Sequence, residues 1–282
     1  MTQRLELFQS LWSMERRRPD GEEWSLEEQF KMIAEAGFDG AAMDHEADEI
    51  PTVTRARQLY GDHGLACSIT AFPQTIDDLK QVLDSAVALD ARMVVVNAKI
   101  LPFTPREGAE FVQQSLELSR QVKMPVYFET HRLTLTTDML FTLQLLELVP
   151  ELEVIADLSH FVVAREFPWP VDQQHEDWID QILQRSAGFQ GRIATREQVQ
   201  VPIEFPQHQG WVNQFYGWWE KGFKYWRARV AEDAALNFLC ELGPPPYAIT
   251  GADGYELSNR WSEAFVMKDR VRAMWGTLEA SN

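Results

Sequence analysis

Short apolar runs of β type alternate with segments of helical period along the whole chain. The runs cover residues 5–13, 38–44, 65–72, 93–98, 126–130, 153–157, 192–195 and 237–242, which predicts eight strands. In the first helical segment Leu26, Phe30, Ile33 and Ala34 fall on one face, because residues three and four apart are neighbours on a helix. Ser25 and Glu28 have the spacing of a capping box, in which each side chain satisfies an amide at the helix start. Gly37 follows as a stop signal. Thr75 with Asp78, and Thr104-Pro105 with Glu107, repeat the start signal.

Near-continuous apolar strands such as Met93-Val-Val-Val-Asn97 belong in a parallel sheet covered on both faces. Strand–helix alternation implies right-handed crossovers. Eight such units in 282 residues take ~35 residues each, the size of the repeat in a closed α/β barrel, a (β/α)8 TIM barrel. The rival is a doubly wound open sheet, which usually carries a glycine-rich turn after its first strand. Leu11-Trp-Ser-Met-Glu15 contains no glycine. No Pro/Gly/Ser-rich linker divides the chain. Residues 1–282 are therefore read as one barrel domain, with 258–282 as the closing helix and tail.

Charge narrows the function classes. The formal net charge of −17 works against binding phosphate backbones or anionic membranes, so neither nucleic acid nor membrane is expected as a partner. No apolar run reaches the ~18 residues of a membrane span. The start Met-Thr-Gln-Arg-Leu-Glu-Leu-Phe carries charges within its apolar stretch, unlike a secretory signal. Cys67 and Cys240 both sit in apolar runs, which fits reduced thiols and a cytoplasmic location.

In a barrel of this kind, chemistry sits at the C-terminal ends of the strands. Those positions hold Trp12, Asp44-His45-Glu46, Asn97, Lys99, Glu129, His131, Asp157, His160, residues 190–196 and Glu241. Glu129, Asp157 and Glu241 each end an apolar run: Val126-Tyr-Phe-Glu129, Val154-Ile-Ala-Asp157 and Phe238-Leu-Cys-Glu241. Three carboxylates converging on one mouth repel unless a cation neutralises them or their pKa values rise. Two readings stand open here: a divalent metal, or structural salt bridges to nearby Arg or Lys.

Four segments, taken in order, carry a resemblance. Pro125-Val-Tyr-Phe-Glu-Thr-His131, Ile155-Ala-Asp-Leu-Ser-His160, Gly191-Arg-Ile-Ala194 and Cys240-Glu-Leu-Gly-Pro244 resemble the xylose isomerase-like TIM barrels. That superfamily contains sugar isomerases and epimerases, hydroxypyruvate isomerase, inosose dehydratase and the endonuclease IV group. The resemblance implies metal ligation by Glu129, Asp157 and Glu241, with His160 facing the substrate. The family's remaining ligand is a His two residues before an Arg. Gln190 fills that slot ahead of Arg192, and a neutral amide oxygen is a weaker donor than imidazole. An oxygen-rich set of this kind favours Mg²⁺ or Mn²⁺ over Zn²⁺.

The implied activity is a metal-dependent isomerase or epimerase acting on a small sugar, ketose or hydroxy acid by proton transfer beside a carbonyl. Glu129 and Glu241 would be the proton carriers, and His160 and Arg192 would stabilise developing negative charge. His131 and Glu166 are further candidates for substrate contact. Lys99 is either a holder of a carboxylate or phosphate, or a solvated charge. The alternatives are a lyase or dehydratase on a related polyol, and a catalytically degenerate sugar-binding barrel, the latter motivated by Gln190. An abasic-site nuclease needs a multi-histidine zinc site, which six scattered histidines do not suggest.

Two further stretches stand out. Trp211, Phe215, Trp218, Trp219, Gly222, Phe223 and Trp226 recur at helical spacing, which fits a helix packed on the barrel, a homo-oligomer interface or an aromatic wall reaching the pocket. The loop 198–210, with two prolines and few charges, is long enough to cover the mouth.

Overall fold

The computed structural model describes residues 2–16, 22–45 and 50–280, with backbone only for 50–53. Eight parallel strands, β1 (Arg4–Ser10), β2 (Gly40–His45), β3 (Ala66–Ala71), β4 (Val94–Val96), β5 (Val126–Glu129), β6 (Val154–Ala156), β7 (Ser186–Gly191) and β8 (Ala235–Cys240), form a closed barrel in chain order. β1 pairs with β8 from Arg4↔Ala235 to Gln9↔Cys240 and shuts it. The helices are α1 (Leu26–Glu35), α2 (Ile50–His63), α3 (Ile76–Ala88), α4 (Pro105–Val122), α5 (Met139–Leu148), α6 (Leu158–Ala164), α7 (Gln173–Leu183), α8 (Gln209–Arg229) and α9 (Arg260–Ala280). The chain is thus an α/β barrel of the (β/α)8 TIM type.

The helix starts are where local chemistry puts them. Ser25, Thr75 and Thr104 each accept from the amide three residues on, and Glu28, Asp78 and Glu107 each reach back to the cap amide. Pro105 occupies the first turn of α4, where its missing N–H costs nothing. Among the described residues, no helix is long and apolar enough to cross a membrane.

The seventh strand differs from the expected 192–195 and runs over Ser186–Gly191 instead. Ser-Ala-Gly-Phe-Gln-Gly lacks the β-branched residues that mark strands, and its glycines look like turn signals. Tertiary packing requires one of them. A Cβ on Gly188 would stand 2.9 Å from the Asn237 carbonyl and 2.9 Å from Ile155 Cδ1. The first strand also stops earlier than 13, because Trp12–Met14 forms a 3-10 turn.

Alternate residues of a strand face opposite sides. Outward residues such as Leu7, Ala41, Val94, Phe128 and Phe238 join the large core beneath the helices. Inward residues make two small apolar clusters, Phe8 with Ala42 and Leu239, and Met93 with Val95 and Ile155. These fill the lumen below the mouth.

α8 settles the aromatic stretch. Phe215, Trp219 and Phe223 are fully buried, and Trp211, Trp218 and Trp226 nearly so. Phe223 and Trp219 lie edge-on to Phe238 of β8, at 6.2 and 5.1 Å between centroids. These side chains pack on their own barrel, which accounts for the helical spacing of the aromatic residues in 211–226. The loop 198–210 is packed down rather than standing off: Val201 and Ile203 are buried, and the Ile203 amide donates to Glu263 at 2.9 Å.

Candidate active site

Three strand ends build the floor. Glu129 is the last residue of β5, Asp157 follows β6 directly, and Glu241 follows β8 directly. Strand alternation turns each inward, since Phe128 and Phe238 on either side of the pattern join the outer core. Asp157 also caps α6, accepting from the Ser159 amide at 2.9 Å, which fixes its rotamer. One oxygen from each of Glu129, Asp157 and Glu241 lies within 4.8 Å of the others. All three side chains are buried.

Arg192, 1% exposed, inserts among them. Its Nε donates to Asp157 Oδ2 at 3.0 Å, its Nη2 to Glu241 Oε2 at 2.5 Å, and its Nη1 to Gln200 Oε1 at 3.3 Å. Gln200 is itself clamped: its Oε1 accepts from the Gly243 amide at 2.7 Å and its Nε2 donates to the Gly243 carbonyl at 3.0 Å. The guanidinium lies 4.7 Å from the centroid of Tyr247 and 5.6 Å from that of Trp12. Trp12 and Tyr247 meet edge to face at 5.2 Å. Gly243 makes room for this wall, because a Cβ there would fall 2.3 Å from Trp12 Cη2.

The salt-bridge reading is therefore partly realised. One guanidinium serves two carboxylates, and Glu129 receives only Asn97 Nδ2 at 2.7 Å. With all three carboxyls ionised, two negative charges would be left over. Burial first, then Glu241 and Asp157, drive the Glu129 carboxyl well above its ordinary pKa. Burial pushes Glu241 up to about 8, against the pull of Arg192, with Asp157 and Asp44 adding to the rise. Burial works against the charge on Arg192, but Asp157 and Glu241 outweigh it and hold the proton more firmly than usual.

Several buried polar atoms at this floor have no hydrogen-bond partner among the described residues: Glu129 Oε1, both amide atoms of Gln190, and both ring nitrogens of His160, whose Nε2 stands 3.6 Å from Asp157 Oδ2. Unpaired buried donors and acceptors are costly and call for a partner. The residual charge is the amount one divalent cation cancels, and the donors are three carboxylates and an amide oxygen. That set fits a hard divalent ion such as Mg²⁺ or Mn²⁺.

Two imidazoles lie beside the floor. His131 and His160 stand 4.1 Å apart between ring centroids. Burial drives His131 down to about 2, helped by His160. Burial, then Arg192, Arg132 and Lys99, drives His160 well below its usual value. Burial thus favours the neutral form of both rings. His131 Nδ1 lies 2.6 Å from the Arg132 carbonyl, which assigns its proton to that nitrogen.

Of the residues singled out in the sequence, Glu129, His131, Asp157, His160, Gln190, Arg192 and Glu241 come together. Lys99 stands at the rim, exposed, its Nζ 5.2 Å from the Phe72 ring centroid. Glu166 does not join them. It sits in a left-handed turn (φ 45°) after α6, exposed, 3.5 Å from Arg196. Gln200, Tyr247 and Arg132 were not foreseen. Arg132 directly follows the Glu-Thr-His segment and was open to notice; Gln200 and Tyr247 come from long loops with no local signal.

No family model matches the sequence, and no curated protein matches it. Solved structures do match in three dimensions. One is the probable 3-DHS dehydratase AsbF of Bacillus anthracis, involved in petrobactin synthesis, at 19% identity over 83% of this chain and 92% of that one, with a TM-score of 0.55. A xylose isomerase-like TIM barrel protein from Mycobacterium smegmatis, in complex with magnesium, matches at 15% identity over 94% and 97%, with a TM-score of 0.60. A D-allulose 3-epimerase from Methylomonas sp. matches at 12% identity over 96% and 98%, with a TM-score of 0.62. Closed in chain order, and similar over most of its length to these barrels, the chain has the fold of the xylose isomerase-like TIM barrels.

Proposed function

We propose that this chain is a metal-dependent isomerase or epimerase that moves a proton next to the carbonyl of a small sugar, ketose or hydroxy acid. The observation that carries the reading is the pair Glu129 and Glu241. They stand with Asp157 on one buried ring of carboxylates at the C-terminal ends of the strands. Two carboxylates facing one space can take a proton from a carbon acid and return one. The D-allulose 3-epimerase and the magnesium complex among the structural neighbours support the same reading.

Glu129, Asp157, Gln190 and Glu241 would hold the cation, which supplies polarisation of the substrate oxygens and so acidifies the carbon between them. Glu129 takes the proton on Oε1, the oxygen that Asn97 leaves free. Glu241 delivers or receives a proton on its own side of the ring, steadied by Arg192. His160, whose Nε2 stands 3.6 Å from Asp157 Oδ2, offers a ring nitrogen to a substrate hydroxyl. Arg192 adds a fixed positive charge where negative charge develops. A dehydratase begins with the same proton removal and ends with loss of a hydroxyl; the 3-DHS dehydratase among the neighbours keeps that reading as the alternative.

The test is deuterium exchange from D₂O into a panel of ketoses, polyols and hydroxy acids with Mg²⁺ or Mn²⁺ present. Exchange should fall ~100-fold or more in Glu129→Gln and in Glu241→Gln. Undiminished exchange in both variants puts the base elsewhere, with His160 the first suspect. Loss of water from the substrate selects the dehydratase. Saturable binding without exchange selects a degenerate sugar-binding barrel.

A further inference from the structure

We propose that the substrate carries an anionic group, a carboxylate or a phosphate, and that Lys99 and Arg132 hold it at the barrel mouth. The inference rests on the reading of the carboxylate ring as the catalytic floor, and adds the substrate's charge to it.

Lys99 and Arg132 lie on neighbouring loops, those that follow the paired strands β4 and β5. Lys99 follows β4, and its amide is tied to the Pro73 carbonyl at 2.8 Å. Arg132 follows β5. The Leu135 amide donates to the Ala98 carbonyl at 2.9 Å, which joins the two loops. From there Arg132 reaches over to the loop after β8, where its guanidinium lies 4.8 Å from the Tyr247 centroid. The same ring is 4.7 Å from Arg192. Tyr247 therefore has two guanidinium neighbours. One is buried and paired to the floor; the other is half-buried at the opening.

The pairing of the cations around this mouth is uneven. Arg192 bonds two carboxylates. Arg165 pairs with Asp138 at 2.6 Å, and Arg196 with Glu197 at 2.8 Å. Lys99 and Arg132 have no carboxylate partner among the described residues; each rests only on an aromatic ring. This holds in a chain with 43 acidic and 26 basic residues, where acidic partners are abundant. Arg192 and a divalent cation would between them balance Glu129, Asp157 and Glu241, so those three carboxylates are not partners that Lys99 or Arg132 needs to satisfy. Arg offers the fork that a carboxylate or phosphate fills with two hydrogen bonds, and Lys adds a point charge on a flexible stem.

Two measurements test this. The first is calorimetric binding of gluconate, inorganic phosphate and glucose to the wild-type protein, Lys99→Ala and Arg132→Ala. The wild type should bind gluconate or phosphate at least tenfold more tightly than glucose. Each variant should lose ~10- to 100-fold of anion affinity and none for glucose, in line with a charge-assisted hydrogen bond. The tighter of the two anions tells a carboxylate from a phosphate. The second is exchange on one ketose skeleton in neutral, acid and phosphate forms. The variants should raise KM for the anionic forms and leave kcat nearly unchanged. A wild type that binds glucose as tightly as the anions, or variants that weaken all ligands equally, overturns the proposal. Exchange on neutral ketoses alone would sink it and leave the isomerase reading intact. Selective anion binding without any exchange would do the reverse.

Discussion

Arg192 donates its Nε to Asp157 at 3.0 Å, so one oxygen of the cage that fits a divalent ion already carries a guanidinium. The same side chain serves Glu241. Removing one partner of a buried ion pair leaves an uncompensated charge and typically costs about 3–5 kcal/mol. Arg192→Leu should lose stability of that order in the presence of a chelator. Mg²⁺ or Mn²⁺ should then raise its melting temperature by more than it raises that of the wild type. Thermal unfolding with and without the ion reads this directly. Equal shifts in the two proteins would mean that Arg192 and the ion do not share the carboxylates.

Gln190 is fully buried, with both amide atoms unpartnered among the described residues. An imidazole at this position would give a nitrogen donor to ions that prefer one. Gln190→His should tighten Mn²⁺, Co²⁺ or Zn²⁺ by ~10-fold or more, since a change of ligand should match or exceed the 10–100-fold typical of outer partners. Titration calorimetry on both proteins decides it. Equal affinities would remove position 190 from the ligand set.

The raised carboxyl of Glu241 sets a pH dependence in chelator. Its proton is held up to about 8 in the folded chain, against 4.5 in an ordinary glutamate. A raised folded pKa contributes stability that is complete below the unfolded value and lost as pH rises toward the folded one. Measured against Glu241→Gln, which mimics the protonated form, the wild type should lose stability between about pH 4.5 and 8. Added Mn²⁺ should shrink that loss, because the cation replaces the proton. A wild type and variant that track each other across this range would show that Glu241 is not the proton-binding group.

Signals carried within a few residues were legible in the sequence. The three Ser/Thr capping boxes form as their spacing predicts, since cap and partner are covalently close. The inward carboxylates could be read because each ends an apolar strand, and alternation fixes the face. β7 could not, because Gly188 answers to Ile155 and Asn237, which are distant in the chain. Glu166 lies only six residues from His160, yet the left-handed turn at φ 45° carries it out to Arg196. The clamp of Gln200 on Gly243 joins two loops after different strands, and nothing local announces it. Arg192 could be placed at the site from its segment. Its double engagement of Asp157 and Glu241 could not, because that depends on strand register across β6, β7 and β8.

The apolar plug of Phe8, Ala42 and Leu239 with Met93, Val95 and Ile155 makes the lumen a blind well. Everything that reaches the carboxylate ring comes and goes through one door. On the proposed reading, an ion at the bottom and a substrate above it cannot pass each other. Binding would then be ordered, with the residues at the bottom filled before those above them, and loss of a bound ion should slow as substrate saturates the protein. Sequence of arrival, a kinetic property, would follow from the side chains that stopper the far end of the barrel.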